Sequence, residues 1–314
     1  MKNTSIIKFC LFMFNVIYNC ILGVILVFVP KRIRFKKVDN DIVLITGAGN
    51  GIGQRLALRF ARLGSKVVIW DVNERGLRNT VSLVRKIVPE AKIFSFACDV
   101  SNFESVYETA KRVKREVGVV SMLINNAGIV TGKRLLSLQE NEIKRTMDVN
   151  FLAHFWTCRA FLADMMSTNH GHIVSMGSIA GLTGSPLLTD YAASKYATIG
   201  FEESLRYELK ADGYNGIHST IVCPYFVNTG MFNGVRSDVL PFVDSDYLVD
   251  QIVSAILVNQ EVLFVPRFMY FLYVLKSILP SRATYSLFQS LGGEYAMNTF
   301  VGRNRFAGNN GRGI

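Results

Sequence analysis

The chain has 314 residues, half of them hydrophobic, which is enough for one α/β core and a membrane segment but leaves no comfortable room for a second globular domain. Thirty-five lysines and arginines against 24 acidic residues give a net charge of +11. No nucleic-acid motif accompanies that charge and part of it lies in one run beside an apolar stretch, so a membrane surface, and not nucleic acid, is the expected partner.

The first predicted element is Phe9 to Val29, which holds no ionisable acid or base apart from its cysteines and Tyr18 and is interrupted only by Asn15 and Asn19. At a rise of ~1.5 Å per residue such a helix spans the ~30 Å of a bilayer core. No small-residue cleavage site follows, so it reads as an uncleaved anchor. Lys31, Arg32, Arg34, Lys36 and Lys37 come next. The positive-inside rule puts them in the cytosol with the domain that follows, and they attract anionic headgroups. Two readings stand: a helix spanning the endoplasmic reticulum membrane, or a shallow segment, broken near the asparagines, that also enters a lipid-droplet monolayer.

Asp41 to Thr46 has the character of a buried parallel strand and runs into Gly47-Ala-Gly-Asn-Gly51-Ile-Gly53, after which a helical pattern begins. Glycine there lets the strand turn sharply, brings backbone close to a pyrophosphate and packs helix on strand. The helix start, with Asn50, Gly51 and Ile52, presents N–H groups and positive partial charge to phosphate. The next apolar run, Lys66 to Trp70, ends at Asp71. A carboxylate in that place accepts from both ribose hydroxyls of NAD and repels the 2′-phosphate of NADP, so NAD is the expected cofactor over NADP. The uncharged Asn50 agrees, while Arg55 and Arg75 stand near in sequence, and a helix N-cap is the structural alternative for Asp71.

Strand and helix signals keep alternating: Ala91 to Ala97, Val119 to Ile124, His172 to Gly177 and Ile217 to Cys223 read as strands. The pattern is α/β, a Rossmann-type doubly wound parallel sheet behind an N-terminal hydrophobic membrane anchor. Asp99 and Val100 after the third strand, and Asn125-Asn-Ala-Gly128 after the fourth, fall at strand carboxyl ends, where such sheets bind ligands; turn formation accounts for part of the Asn-Gly cluster. Ser178 follows the fifth strand, and Tyr191 and Lys195 sit one helical turn apart in Tyr-Ala-Ala-Ser-Lys. Residues i and i+4 share a helix face, and a nearby ammonium favours the phenolate of a tyrosine that otherwise titrates near ~10. The trio looks like the proton-transfer apparatus of an alcohol or carbonyl oxidoreductase.

Near the other end Val262 to Pro266 reads as a last strand, and Arg267 to Pro280 is almost wholly apolar and aromatic. That segment either lies in the membrane interface as an apolar mouth for a lipid substrate or packs against the domain or into a homodimer. Gly302 to Ile314 reads as a mobile basic tail. The five cysteines have no paired spacing and suit a reducing cytosol, and the four histidines share no ligand spacing, so no metal is expected.

From about Asp41 to Thr229 the chain resembles the short-chain dehydrogenase/reductase family. The resemblance rests on Thr46-Gly47-x-x-x-Gly51-Ile-Gly53, Asn125-Asn-Ala-Gly128, Asn150, Ser178, Tyr191-x-x-x-Lys195 and Pro224 through Thr229. It implies Tyr191 as the acid/base, Lys195 holding the nicotinamide ribose and lowering the tyrosine pKa, and Ser178 bonding the substrate oxygen. Asn150 would bend its helix and position a water of the proton relay, and Thr229 would meet the cofactor carboxamide. Tyr225 departs from the family pattern, where glycine is common, and is expected to reshape the loop beside the nicotinamide. Ala127-Gly-Ile-Val-Thr-Gly-Lys133, His170-Gly-His-Ile-Val174 and Asn228-Thr-Gly-Met231 are similar to the membrane-associated branch that contains epidermal retinol dehydrogenases and lipid-droplet 17-beta-hydroxysteroid dehydrogenases.

Together these readings imply oxidation of a lipophilic alcohol, all-trans-retinol ahead of a 17β-hydroxysteroid, the reverse being reduction of the ketone or aldehyde. A catalytically dispensable lipid-droplet scaffold is the alternative from another class. The expected organisation is an anchor with its basic run over 1–37, the Rossmann domain over 38–266 with a substrate pocket drawn from Met231 to Tyr247 and the Phe268 to Leu279 helix, and an apolar helix with a tail over 267–314.

Overall fold

The computed structural model of the protein describes residues 2–237 and 239–302, so most of the tail read from Gly302 to Ile314 lies outside the described residues. The chain divides into two compact units, one ending at Lys37 and the other starting at Val38. In the first, α1 (Lys2–Phe28) is a single helix, and its stretch Ile6–Phe28 is 23 residues long, exposed, and apolar enough to cross a membrane. It is not broken at the asparagines: the Asn19 amide donates to the Asn15 carbonyl at 2.7 Å, one turn back, so the polar side chain is satisfied on the helix itself.

In the second unit seven strands form one parallel sheet: β1 (Ile42–Thr46), β2 (Lys66–Asp71), β3 (Ile93–Ala97), β4 (Met122–Asn125), β5 (Gly171–Met176), β6 (Ile217–Pro224) and β7 (Val262–Val265). Between and after them run α2 (Gly51–Arg62), α3 (Glu74–Ile87), α4 (Phe103–Glu116), α5 (Glu140–Met147), α6 (Ala153–Thr168), α7 (Thr189–Ala211), α8 (Ser245–Leu257), α9 (Phe268–Ile278) and α10 (Ser281–Ser290). The strand order is β3-β2-β1-β4-β5-β6-β7. Connections leave β1 toward one edge and β4 toward the other, which opens a crevice at the strand carboxyl ends between them.

Both faces of the sheet are covered, which is why its strands read as unbroken apolar runs. Val43, Ile45, Val67, Ile69 and Ile124 join one core with α2 and α8, whereas Leu44, Val68, Trp70, Leu123 and Ile173 join the other with α4 and α6. Successive side chains of a strand point to opposite faces, so each strand feeds both cores. α3 and α4 begin at asparagine caps, Asn73 and Asn102, whose side chains accept from Gly76 N–H and Ser105 N–H.

The apolar stretch after β7 forms α9 and packs on the domain by its inner face. Met269 is buried with Leu182, Cys223 and Phe264, and the Lys276 ammonium donates to the Leu182 carbonyl and to the Tyr196 hydroxyl. The outer face of α9 leaves Phe271, Val274 and Ile278 59%, 58% and 72% exposed, an apolar stripe at helical spacing.

Candidate active site

The turn after β1 is built for close approach. Gly47 and Gly51 adopt φ of 63° and 57° in the left-handed region, which side chains resist. A Cβ on Gly53 would stand 2.5 Å from the Gly47 carbonyl oxygen and 2.7 Å from the Asn126 amide nitrogen, so α2 meets the turn in a way only glycine permits. The first backbone bond of α2 runs from Gln54 N–H to Asn50 O, which leaves the N–H groups of Gly51, Ile52 and Gly53 without an intrahelical acceptor.

Asp71 ends β2, with one carboxylate oxygen accepting from Gly49 N–H at 2.8 Å and the other from Asn73 N–H at 2.9 Å. It is therefore not the helix cap; Asn73 is. Two amide bonds leave acceptor capacity on a carboxylate, which has about four lone-pair sites. Across the crevice, Asp99 accepts from the backbone and hydroxyl of Ser101.

Ser178 stands just past β5, its hydroxyl oxygen accepting from Ala180 N–H at 3.1 Å. Tyr191 and Lys195 lie in the first two turns of α7, both buried, with the Lys195 Nζ 5.7 Å from the centroid of the Tyr191 ring. That ammonium donates to the Met176 carbonyl at 2.6 Å, which fixes it under the end of β5. Asn150 sits in a π-helical turn, Asp148–Leu152, between α5 and α6. Its side chain clamps the backbone of Ile129, accepting from N–H at 2.8 Å and donating to C=O at 2.9 Å, and also donates to the Ser194 hydroxyl. It holds the Ala127 to Ile129 wall against α7.

One cleft of about 400 Å³ collects Gly47, Asn50, Gly51, Ile52, Asp71, Asp99, Val100, Ser178, Tyr191, Lys195 and Thr229. Gly53, Asn125 and Asn150 stand behind its wall. Asn125 is buried at the end of β4 with its side-chain oxygen accepting from the Thr157 hydroxyl at 2.8 Å. Its neighbour Asn126 lines the cleft instead and ties the two strand ends together by donating to the carbonyls of Thr46 and Gly47. Tyr225 and Phe232 also line the cleft, the latter within the stretch expected to form the substrate pocket, and Arg145 joins them without a sequence signal of its own. Tyr225 spends its hydroxyl on Ser237 at 2.9 Å, so it braces the loop after β6.

Burial dominates the titration of this site. It pushes the Tyr191 phenol up to about 12, with the Ser178 hydroxyl acting the other way, and pulls the Lys195 ammonium down to about 8. Burial of the phenol thus acts against the lowering that a nearby ammonium favours. Behind Lys195 the buried His154 is pulled down to about 3 by desolvation and then by the Lys195 charge, and its Nδ1 is 3.2 Å from the Ser175 hydroxyl. A histidine held neutral in the fold gains a proton on unfolding below its free pKa of ~6.5. Stability from this residue is present above that pH and is lost as pH falls toward about 3, with a slope of up to ~1.4 kcal/mol per pH unit. Thermal unfolding between pH ~6.5 and ~4 should fall more steeply for the native protein than for His154→Asn; equal slopes would show that His154 is not the group involved.

The pattern of the short chain dehydrogenase family matches residues 41–240. The chain belongs to this family. Two relatives extend the match over nearly the whole dehydrogenase. Retinol dehydrogenase 10-A of Xenopus laevis is 43% identical over 307 residues, covering 89% of this chain and 90% of that protein. Epidermal retinol dehydrogenase 2 of Homo sapiens is 43% identical over 297 residues, covering 94% and 95%. Among solved structures, a short chain dehydrogenase/reductase from Burkholderia phymatum in complex with NAD superposes with a TM-score of 0.70 at 27% identity, covering 77% of this chain and 94% of that one. The dehydrogenase is accordingly an oxidoreductase that acts on CH–OH donors with a nicotinamide dinucleotide. The glycine turn with its tight approach to Gly53, the N–H groups opening α2 and the carboxylate of Asp71 fit such a cofactor.

Proposed function

We propose that this dehydrogenase oxidises a lipophilic alcohol with NAD at a membrane surface, and that all-trans-retinol, converted to retinal, is the substrate it serves. The observation that carries the reading is the convergence of Ser178, Tyr191 and Lys195 on one cleft with the glycine turn, in a chain 43% identical to proteins named as retinol dehydrogenases. Asp71, at the end of β2, supports NAD over NADP, since its carboxylate suits ribose hydroxyls and opposes a phosphate. The glycine turn, Asp71 and Lys195 would hold the cofactor, whose nicotinamide would supply the hydride acceptor. Tyr191 takes the hydroxyl proton of the alcohol, Ser178 holds the alcohol oxygen, and Lys195 keeps positive charge beside the phenol so that the deprotonated form is reached as the alcohol reacts. Asn150 acts through Ile129 and Ser194 and completes the tetrad as a positioning residue whose water relays the proton outward.

The exposed apolar helix Ile6–Phe28 and the basic residues from Lys31 to Lys37 support an anchor in the endoplasmic reticulum membrane with the catalytic unit on the cytosolic side. A lipid-droplet surface accommodates the same apolar segment. The stripe of Phe271, Val274 and Ile278 on α9 supports a second contact with lipid.

The test compares kcat/KM for all-trans-retinol and for a 17β-hydroxysteroid, using membranes that carry the full chain with NAD or NADP. The reading expects retinol with NAD to give the highest value. Turnover of the steroid alone would transfer the enzyme to the hydroxysteroid branch, and a faster reaction with NADP would remove the cofactor assignment.

A further inference from the structure

Resting on that reading of the cleft as an alcohol site, we propose that the segment Ala296–Val301 is the outer wall of the substrate site and that Met297 and Phe300 determine which alcohols fit. The segment lies well beyond residues 41–240, the part of the chain that follows the family pattern. It returns nonetheless to the catalytic tyrosine: Ala296 and Met297, 6% and 1% exposed, pack in one apolar cluster with Tyr191 and Leu188.

Three observations fix the segment there. It is latched to the loop after β6, with Arg236 N–H donating to the Ala296 carbonyl at 3.0 Å, Val301 N–H to the Asn233 carbonyl at 2.8 Å and the Thr299 hydroxyl to the Gly234 carbonyl at 2.5 Å. On its other side the Phe300 ring lies where a side chain at Gly132 would be, since a Cβ there would stand 2.2 Å from the ring. Between them the Phe232 ring lies edge-on to Tyr191 at 5.9 Å and 6.4 Å from Phe300, so the catalytic ring, Phe232 and Phe300 form a continuous aromatic row.

An alcohol whose oxygen reaches Ser178 and Tyr191 has its carbon skeleton directed against this row. The rings of Phe232 and Phe300 offer no hydrogen-bond partner to a substituent that lies against them, so a hydroxyl or carbonyl there would be desolvated without a partner, whereas an extended hydrocarbon gains contact with each ring it reaches. A short alcohol ends before Phe300 and a long one does not. The segment therefore reads the length and apolarity of the skeleton, while the tetrad reads the reacting oxygen.

The experiment uses full-length protein in membranes and three allylic alcohols that share the reacting group and differ in length: geraniol, farnesol and all-trans-retinol. Phe300→Ala and Met297→Ala should each lower the ratio of kcat/KM for retinol to that for geraniol by about tenfold, mainly through KM. Binding of NADH, followed by its fluorescence, should stay within about twofold. If an alanine variant unfolds, Phe300→Leu or Met297→Leu takes its place, and a smaller fall in the same ratio is then expected. A ratio that stays within twofold or rises in folded variants, while native protein oxidises the series, overturns the wall and leaves the alcohol reading standing. Native protein that oxidises no member of the series overturns the alcohol reading and the wall with it.

Discussion

Tyr191→Phe is expected to lower kcat/KM for alcohol oxidation by about 10³ while the protein still binds NADH with an affinity within about twofold of native. The substitution removes one oxygen from a ring that is 5% exposed and packed edge-on against Phe232, so the apolar contacts that position α7 remain. What is lost is the phenol beside Ser178 that takes the alcohol proton in the proposed reaction, and positioned proton transfer is worth ~10²–10⁴ in rate. Because burial holds the phenol near about 12 in the protein alone, the deprotonated fraction at neutral pH is small and grows about tenfold per pH unit. Oxidation by native protein should therefore speed up from pH ~6 to ~9, with reduction of the corresponding aldehyde moving the opposite way. Stopped assays in both directions check this, and a Phe variant that keeps more than a tenth of native kcat/KM would remove Tyr191 from the proton-transfer role.

The second large effect is a change of cofactor. Asp71→Ala should weaken NAD by ~10- to 100-fold and strengthen NADP, so that the preference moves by roughly two orders of magnitude. A charged hydrogen bond is worth ~1.5–3 kcal/mol, and repulsion of the 2′-phosphate disappears with the carboxylate. The same carboxylate accepts from Gly49 N–H and Asn73 N–H, so its removal also loosens the glycine turn, and part of the loss will be common to both cofactors. The ratio of the two Kd values cancels that common part. Titrating NADH and NADPH fluorescence against native and Asp71→Ala protein measures it, and a ratio that does not move would mean that Asp71 serves the turn alone.

Much of the sheet and turn was legible because parallel strands buried on both faces must be continuously apolar, and because Gly47, Gly51 and Gly53 answer to backbone requirements that no other residue meets. The cleft residues at strand ends followed from strand order. Asn125 and Asn126 show where that reasoning stops: adjacent asparagines at the end of β4 face opposite ways, and only the register of β4 with its neighbours tells which one enters the cleft. The contribution of burial to the titration of Tyr191 is hidden from sequence for a related reason. Helical spacing reveals a nearby ammonium, but desolvation depends on everything packed around the ring. The substrate end was the least legible, since Met297 and Phe300 reach Tyr191 across more than a hundred residues of chain and have no local motif. Sequence directed attention to Met231 to Tyr247, of which Met231 and Phe232 line the cleft, and to the Phe268 to Leu279 helix, which packs on Ile179 and Leu182 as α9.

In the proposed reaction a hydride leaves an apolar alcohol for NAD in this cleft. NADH and retinal followed together in membranes carrying the full chain, supplied with NAD and all-trans-retinol, test that reaction. One NADH formed for each retinal, at a rate that vanishes in Tyr191→Phe membranes, is the predicted result. Retinal formed without NADH, or formation of both at an equal rate in Tyr191→Phe membranes, would contradict it.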